Sequence, residues 1–432
     1  MDYTDLLIQA FKNAVNQVLP DKIIYKNIKI DNHFFSIQED KYPLKNFYLF
    51  GSGKASIKMA QAVEDLFKDY IKGGLIVSNY KKELKKVEVF ESSHPIPDER
   101  SIKAGRHMLE KLSSLKEDDF FVYLLSGGSS ALIEYPIPPI SLQDLRLTTD
   151  ILLKSGVSID EVNIIRKHIS LIKGGRLAKA TKASGIVLVL SDVIGDDLET
   201  IGSAPFYFDK STYKDAYLVL DKYGLLNKIP STVLTVIEKG LKGEIEETPK
   251  EPPKRIKHYI IGNNLTALNG AKDFLTKKGI KAFILSSEIE GEAKEVAKVI
   301  VGIGKDIKKG SSYFFPPVVL LFGGETTVTV KGSGKGGRNQ ELVLSALLKI
   351  KDNCGIHVLS AGTDGIDGVT DAAGAVADCS TYKEALERGL DLEMFLENND
   401  SYNFFKKVGK LIKTGYTGTN VMDITMLLVE GR

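Results

Sequence analysis

The stretch FFVYLLSGGSSAL, residues 120–132, passes from six apolar residues into two glycines and three hydroxyls, then into a helix-forming run. An uninterrupted apolar run of that length reads as a strand buried on both faces, the kind that helices cover in an α/β sheet. The small residues after it form a loop at the carboxyl end of the strand, where such sheets bind their ligands. Ser126, Gly127, Gly128, Ser129 and Ser130 offer backbone and side-chain donors suited to a phosphate or a carboxylate. The G-x-S-x-G order of a nucleophilic serine is absent, and the six histidines supply no obvious base.

The same grammar extends in both directions. FYLF (47–50) runs into GSGKAS, GIVLVL (185–190) into SDVIGDD, VVLLF (318–322) into GGETT, and IHVLS (356–360) into AGTDGIDG. Further strand-length apolar runs are GLIVS (74–78), VEVF (87–90), YII (259–261), AFIL (282–285) and ITMLLV (424–429). Amphipathic stretches such as SIKMAQAVEDLFKDY and EAKEVAKVIVGIGKDI separate them, so the expected class is α/β. KGEIEETPKEPPKRIK (242–257) is charged, proline-rich and without apolar period. It reads as a linker between a domain over 1–241 and another over 258–432.

Composition excludes several classes. With 58 basic and 56 acidic residues the net charge is +2, which gives no general reason to bind nucleic acid or an anionic membrane. No apolar run approaches the ~18 residues of a membrane span, and the N-terminus lacks the pattern of a signal peptide. Cys354 and Cys379 show no metal spacing and no disulfide framework, so a reducing cytoplasm fits. Abundant lysine, glutamate and isoleucine with no tryptophan lean towards a thermophilic source. Arginine is scarce, nine against 49 lysines, and Arg176 and Arg338 each follow a Gly-Gly pair.

Five further segments carry candidate chemistry. In GSGKAS (51–56), Gly53 permits a tight turn whose backbone N–H groups are expected to approach a phosphate closely, and Lys54 stands near a helix start, where a cation opposes the helix dipole unless an anion is bound. Ala55 stands where a Walker A loop needs Ser or Thr. NIIRKHISLIKGGRLAKA (163–180) places Arg166 and Lys173 seven apart, on one face of an expected helix that Gly174 and Gly175 break before Arg176, a basic face suited to an anionic ligand, with Lys173 and Arg176 expected to bind substrate or phosphate. SDVIGDDLETIGSAP (191–205) puts Asp192 at a strand end, a natural partner for Mg²⁺ or a hydroxyl. GGETTVTVKGSGKGGRNQE (323–341) holds Glu325, Thr326, a G-x-G-x-x-G through Gly332, Gly334 and Gly337, then Arg338 and Asn339 at a helix start. The planar fork of Arg338 suits phosphate, and the residue is expected to face an open cleft and matter little to stability. SAGTDGIDGVTD (360–371) adds Thr363, Asp364 and Asp367, of which the aspartates are candidate ligands for a hard cation. HPIPDERS (94–101) and TGYTGTNVMDI (414–424) are tightly punctuated, with Thr417, Thr419 and Asn420 available to a ligand.

Taken in order, GKAS, HPIPDERS, LSGGSSAL, IRKHISLIKGGRLA, LSDVIGDDLETIGSAP, GGETTVTVKGSGKGGRNQE, SAGTDGIDGVTDAAGA and TGYTGTNVMD resemble the class II glycerate kinases over about residues 45 to 425. The resemblance implies an N-terminal Rossmann-like parallel sheet flanked by helices, a C-terminal α/β domain of the MOFRL type, and an active site in the cleft between them. It also implies ATP-dependent phosphorylation of D-glycerate with Mg²⁺, mostly to 2-phosphoglycerate with release of ADP. The family's motif lysine falls on Lys54 and its motif arginine on Arg338. Lys54, Arg338 and Asp192 are therefore the expected catalytic residues, and Asp192, Asp364 and Asp367 the expected metal ligands. Some family members are labelled hydroxypyruvate reductases, so an NAD(P)H-dependent reductase stands as the alternative, and a non-enzymatic carboxylate-binding protein as a third reading. The partners expected are small molecules alone, with homo-oligomerisation left open.

Overall fold

The computed structural model describes residues 2–31, 33–44, 47–351 and 353–431. The chain is α/β and divides into two compact units. One comprises Ile23–Ser191 and Asp196–Ile261, the other Met1–Lys22, Asp192–Gly195 and Gly262–Arg432. Among the described residues no helix is long and apolar enough to cross a membrane.

The first unit opens with a small antiparallel sheet of β1 (Ile28–Asp31), β2 (Phe34–Ile37) and β3 (Asp40–Pro43). Its main sheet contains β4 (Phe47–Ser52), β5 (Ile71–Ser78), β6 (Glu88–Glu91), β7 (Phe120–Ser126), β8 (Ser184–Leu190) and β9 (Ile256–Gly262), in the order β6-β5-β4-β7-β8-β9. The pairs β6–β5, β5–β4, β4–β7 and β7–β8 are parallel. All seven residues of β7 are buried, as its apolar run requires of a strand covered on both faces. The chain moves outward from β4 through β5 to β6, then returns to place β7 on the other side of β4. The strand order reverses there, at the topological switch point where open α/β sheets hold their ligands.

Of the expected linker 242–257, residues 242–255 carry no strand and 256–257 open β9, and all of it belongs to this first unit. Side chains hold them: Glu247 accepts from the Tyr213 backbone N–H (3.1 Å), and Thr248 donates to Asp209 (3.0 Å).

The second unit is built on β10 (Lys281–Ile289), β11 (Val318–Gly324), β12 (Ile356–Gly362), β13 (Gly374–Ala377), β14 (Leu411–Ile412) and β15 (Asp423–Val429), in the order β10-β11-β15-β12-β13-β14. Only β10–β11 is parallel; β15 runs antiparallel to both β11 and β12. The helix Tyr3–Gln17 belongs here because its apolar face packs on the helix Asn264–Lys277. The antiparallel register of β12 and β13 pairs Val358 with Ala377. It therefore carries Cys379 back towards Cys354, and the two form a disulfide with a Cα–Cα distance of 5.0 Å. This corrects the sequence reading, which left both cysteines unpaired.

Candidate functional site

Ser52 of β4 pairs with Leu125 of β7, so the loops that leave the two strands lie side by side at the switch point. They are tied together by Lys54 N–H donating to the Gly127 carbonyl (2.9 Å) and Ala55 N–H donating to Ser126 Oγ (3.1 Å). Gly53 has φ +130°, and a Cβ there would drive into Ser126, so a side chain is excluded twice over. Gly53 and Ser56 also donate their N–H groups within the protein, to Val77 and Gly53 carbonyls. The 53–56 loop thus has no amide left for an anion, contrary to the reading of its glycines as a phosphate cradle. What it offers is the Lys54 side chain, at the approach to the helix Ser56–Phe67.

That side chain lies over the neighbouring turn. Gly128 has φ +85°, and a Cβ on it would come 2.8 Å from the His94 ring and 3.3 Å from Lys54 Cε. His94 was not singled out from sequence. Burial, and then the charge of Lys54, push its imidazole down to about 4, so it is neutral at pH 7. Among the described residues Lys54 has no carboxylate within ion-pair distance.

The serines beyond Gly128 are organised from behind. Ser129 Oγ is 2.5 Å from Ser52 Oγ, which also meets the Tyr123 hydroxyl at 2.6 Å, all three buried. Ser130 Oγ is 2.9 Å from Ser203 Oγ, which donates to Asn163 Oδ1 at 3.2 Å.

The expected helix through Arg166 and Lys173 ends at His168, so the two do not share a helical face. Lys173, expected to bind substrate, is buried. It ion-pairs with Glu134 and donates to the Ser130 carbonyl at 2.9 Å. Burial lowers its pKa, against the pull of Glu134. Its work is to hold the end of the serine loop, because one buried cation needs one buried carboxylate. Arg176 opens the helix Arg176–Ala180 and donates to the Tyr213 hydroxyl (3.2 Å) and the Glu246 carbonyl (3.0 Å).

In the second unit the loops after β11 and β12 flank the start of β15. Asp423, the first residue of β15, pairs in register with Gly324 on one side and Gly362 on the other. It therefore stands between Glu325 and Asp364, each one or two residues past those glycines. Thr363, buried, fixes the turn before it by donating to the Met422 carbonyl (2.6 Å) and accepting from Val421 N–H (2.9 Å). Met422 has φ +67°, uncommon for a residue with a side chain and typical of backbone held under strain at a site.

Arg338 begins the helix Arg338–Ile350 as expected, but its anions are protein carboxylates. Nε is 2.5 Å and Nη2 3.1 Å from Asp423, and Nη1 is 2.6 Å from Glu325. Its side chain is 34% exposed and that of Asp423 only 8%, so the expectation of an open, stability-neutral arginine is corrected. Burial raises the pKa of Glu325, with Arg338 opposing.

Asp367, expected as a metal ligand, instead caps this helix. Its carboxylate accepts from the N–H groups of Asn339 (3.1 Å) and Gln340 (2.9 Å), and from the Gln340 side chain (2.8 Å). Burial pushes it up to about 6. Asn339 is itself buried and accepts from Ser360 Oγ at 2.6 Å. Thr326 and Asn339 line a small cavity with Ser360 and Asp423.

Asp192 lies 3.5 Å from the side-chain amide of Asn420, and the Asp364 carbonyl accepts from Thr417 N–H at 3.1 Å. Both aspartates thus border the 415–422 segment. Among the described residues no three His, Cys, Asp or Glu side chains gather as a metal cluster.

The first two glycines of the G-x-G-x-x-G segment have their amides engaged within the protein. Gly332 and Gly334 donate to Asn399 Oδ1 (3.0 Å) and the Asn398 carbonyl (2.9 Å). Residues 325–337 also separate the end of β11 from the helix start, too many for a strand that turns directly into a helix.

Two family models match: one described as a domain of unknown function (DUF4147), over residues 6–238, and the MOFRL family, over 318–423. The chain is 43% identical to a glycerate 2-kinase of Pyrococcus horikoshii over 100% of its own length and 98% of the relative's. It is 38% identical to a putative hydroxypyruvate reductase of Agrobacterium vitis, over 88% and 86%. A solved glycerate kinase structure from Thermotoga maritima superposes with a TM-score of 0.88 at 39% identity, over 99% of each chain.

Proposed function

This chain belongs to the glycerate kinase family, and from that premise we propose that it transfers the γ-phosphoryl group of ATP to D-glycerate, giving 2-phosphoglycerate and ADP. The observation that carries the reading is Lys54: an ammonium over the Gly127–Gly128 turn, at the switch point, with no carboxylate partner among the described residues. Phosphoryl transfer asks a protein mainly for positioning and for cations set where negative charge accumulates. Lys54 answers the second need. The serine hydroxyls and the neutral His94 answer the first, as hydrogen-bond partners for a small polyol acid.

Mg²⁺ binds through one or two carboxylates and completes its shell with water and phosphate oxygens, so a pair of carboxylates is enough to fit it. Asp192 and Asp364, both bordering the 415–422 segment, are the residues that would hold it. When bound it neutralises phosphate charge. The bonds that Asp367 accepts from the start of the helix Arg338–Ile350 support leaving it out of that set.

The reductase name carried by one relative supplies the competing reading. It needs a dinucleotide phosphate loop, and the amides of Gly332 and Gly334 are already committed to 398–399.

The test is incubation with ATP, Mg²⁺ and D-glycerate, followed by phosphorus NMR. A 2-phosphoglycerate resonance is expected, and Lys54→Met should lower turnover by about 10²-fold or more, as for loss of one preorganised donor. NADPH oxidation with hydroxypyruvate and no phosphorylated product would overturn the proposal.

A further inference from the structure

We propose that Arg166 binds the carboxylate of the phosphoryl acceptor, an inference that rests on the kinase reading above. Every other cation of the segment 163–180 has a partner. Lys167 pairs with Asp209 (2.6 Å), His168 with Glu247 (3.0 Å), Lys173 with Glu134 and Lys179 with Glu246, while Arg176 donates to the Tyr213 hydroxyl and the Glu246 carbonyl. Arg166 alone among these has neither a hydrogen bond nor an ion pair within the described residues; its Nε is buried without an acceptor, as is that of Arg176, whose Nη2 is engaged. A buried guanidinium nitrogen left without an acceptor is unfavourable unless something else supplies one.

The local charge balance points the same way. Arg166 is close enough to Lys173 to depress its pKa, and Glu134, the carboxylate paired with Lys173, forms no ion pair with Arg166.

Its position selects the ligand. Asn163, one helical turn earlier and so on the same face as Arg166, joins through Ser203 to Ser130. Ser203 and Ala204 both take positive φ (+60° and +54°), a strained segment of the kind that collects at binding sites. Arg166 therefore sits on the Ser130 side of its helix, while Lys54 serves Gly128 two residues earlier in the same loop. One loop thus has a lysine at one end for phosphate and an arginine near the other. The planar fork of arginine matches a carboxylate in two-point contact, and Ser130 and Ser203 beside it can meet the neighbouring hydroxyl.

The test compares the wild type with Arg166→Met and Arg166→Lys, using D-glycerate and its neutral analogue D-glyceramide. Arg166→Met should raise KM for D-glycerate by about 10²-fold, with KM for ATP within about twofold and turnover of D-glyceramide unchanged, since one charged two-point contact is lost. Arg166→Lys, which keeps the charge and guards against a folding failure, should raise the same KM by about tenfold. Unchanged KM for D-glycerate in both variants would overturn the inference. So would a rise in KM for ATP instead, or an equal loss on D-glyceramide. If the wild type itself fails to phosphorylate D-glycerate, it is the kinase reading that falls.

Discussion

Arg338→Met removes the cation that Glu325 and Asp423 share. Three charge-assisted contacts go with it, at 2.5, 3.1 and 2.6 Å. Asp423 is nearly buried and has Asp367 as a negative neighbour, so its charge has nowhere to go. Breaking a buried pair by removing one partner costs about 3–5 kcal/mol. Arg338 is a third exposed, and solvent screening places the estimate at the lower end, about 3 kcal/mol. For a unit of roughly 200 residues that corresponds to a fall in Tm of about 6–12 °C. The loss should also depend on pH. The carboxyls of Glu325 and Asp367 already titrate above their ordinary values, Asp367 at about 6. Removing the cation raises Glu325 further. An acid whose folded pKa exceeds its unfolded one contributes stability that is present at low pH and lost as pH rises through the folded value. The variant should therefore be close to wild type at pH 4 and fall behind as pH climbs to 7. Urea melts of both proteins at pH 4, 5.5 and 7 measure this. A difference below about 1 kcal/mol at pH 7, or one independent of pH, would refute the argument and return Arg338 to the ligand-facing role expected from sequence.

Three further outcomes follow from other parts of the chain. Burial holds His258 down at about 4, with Nε2 lacking an acceptor, so the fold binds fewer protons than the unfolded chain between about pH 4 and 6.5. Wild-type stability should drop across that window as pH falls, with His94 contributing alongside His258, and His258→Phe, beside Tyr207, should remove about 3 kcal/mol of that drop in urea melts. Reducing Cys354–Cys379, which spans 25 residues, should destabilise the second unit by about 3 kcal/mol and leave turnover at 25 °C intact; an unchanged melt after complete thiol reduction would show that the crosslink contributes nothing. Excess EDTA should abolish phosphoryl transfer and added Mg²⁺ restore it, so full turnover in EDTA would exclude Asp192 and Asp364 as metal ligands.

All ten apolar runs read from the sequence are strands; β7, β8, β11, β12 and β15 are buried along almost their whole length, and burial on both faces leaves a continuous signature that needs no partner to interpret. The strands that escaped notice lack it. IKID, FFSI and DKYP are four residues each and half exposed, while GAVA and LI are too short to stand out from the loops around them. Strand direction was equally hidden. ITMLLV reads the same whether parallel or antiparallel, yet its antiparallel course delivers Asp423 to the ends of β11 and β12 together, and the reversed pairing of β12 with β13 brings the cysteines within reach.

The site cations divide along the same line. Sequence shows that a cation at a helix start needs an anion, and this holds for Arg338; it cannot show whether that anion is a ligand or an aspartate 85 positions away. The glycine loops pose the matching question for donors. Their composition permits a phosphate cradle, but whether the amides are free depends on what the neighbouring segment presents, and the end of β7 with the turn after it presents Ser126 Oγ and the Gly127 carbonyl to the 53–56 loop. Pairing is thus the quantity that sequence withholds: Lys54 and Arg166 become the ligand candidates because, among the described residues, Lys54 has no carboxylate partner and Arg166 has neither a hydrogen bond nor an ion pair. Lys173, Arg176 and Arg338, equally conspicuous in the sequence, are each held by partners within the protein.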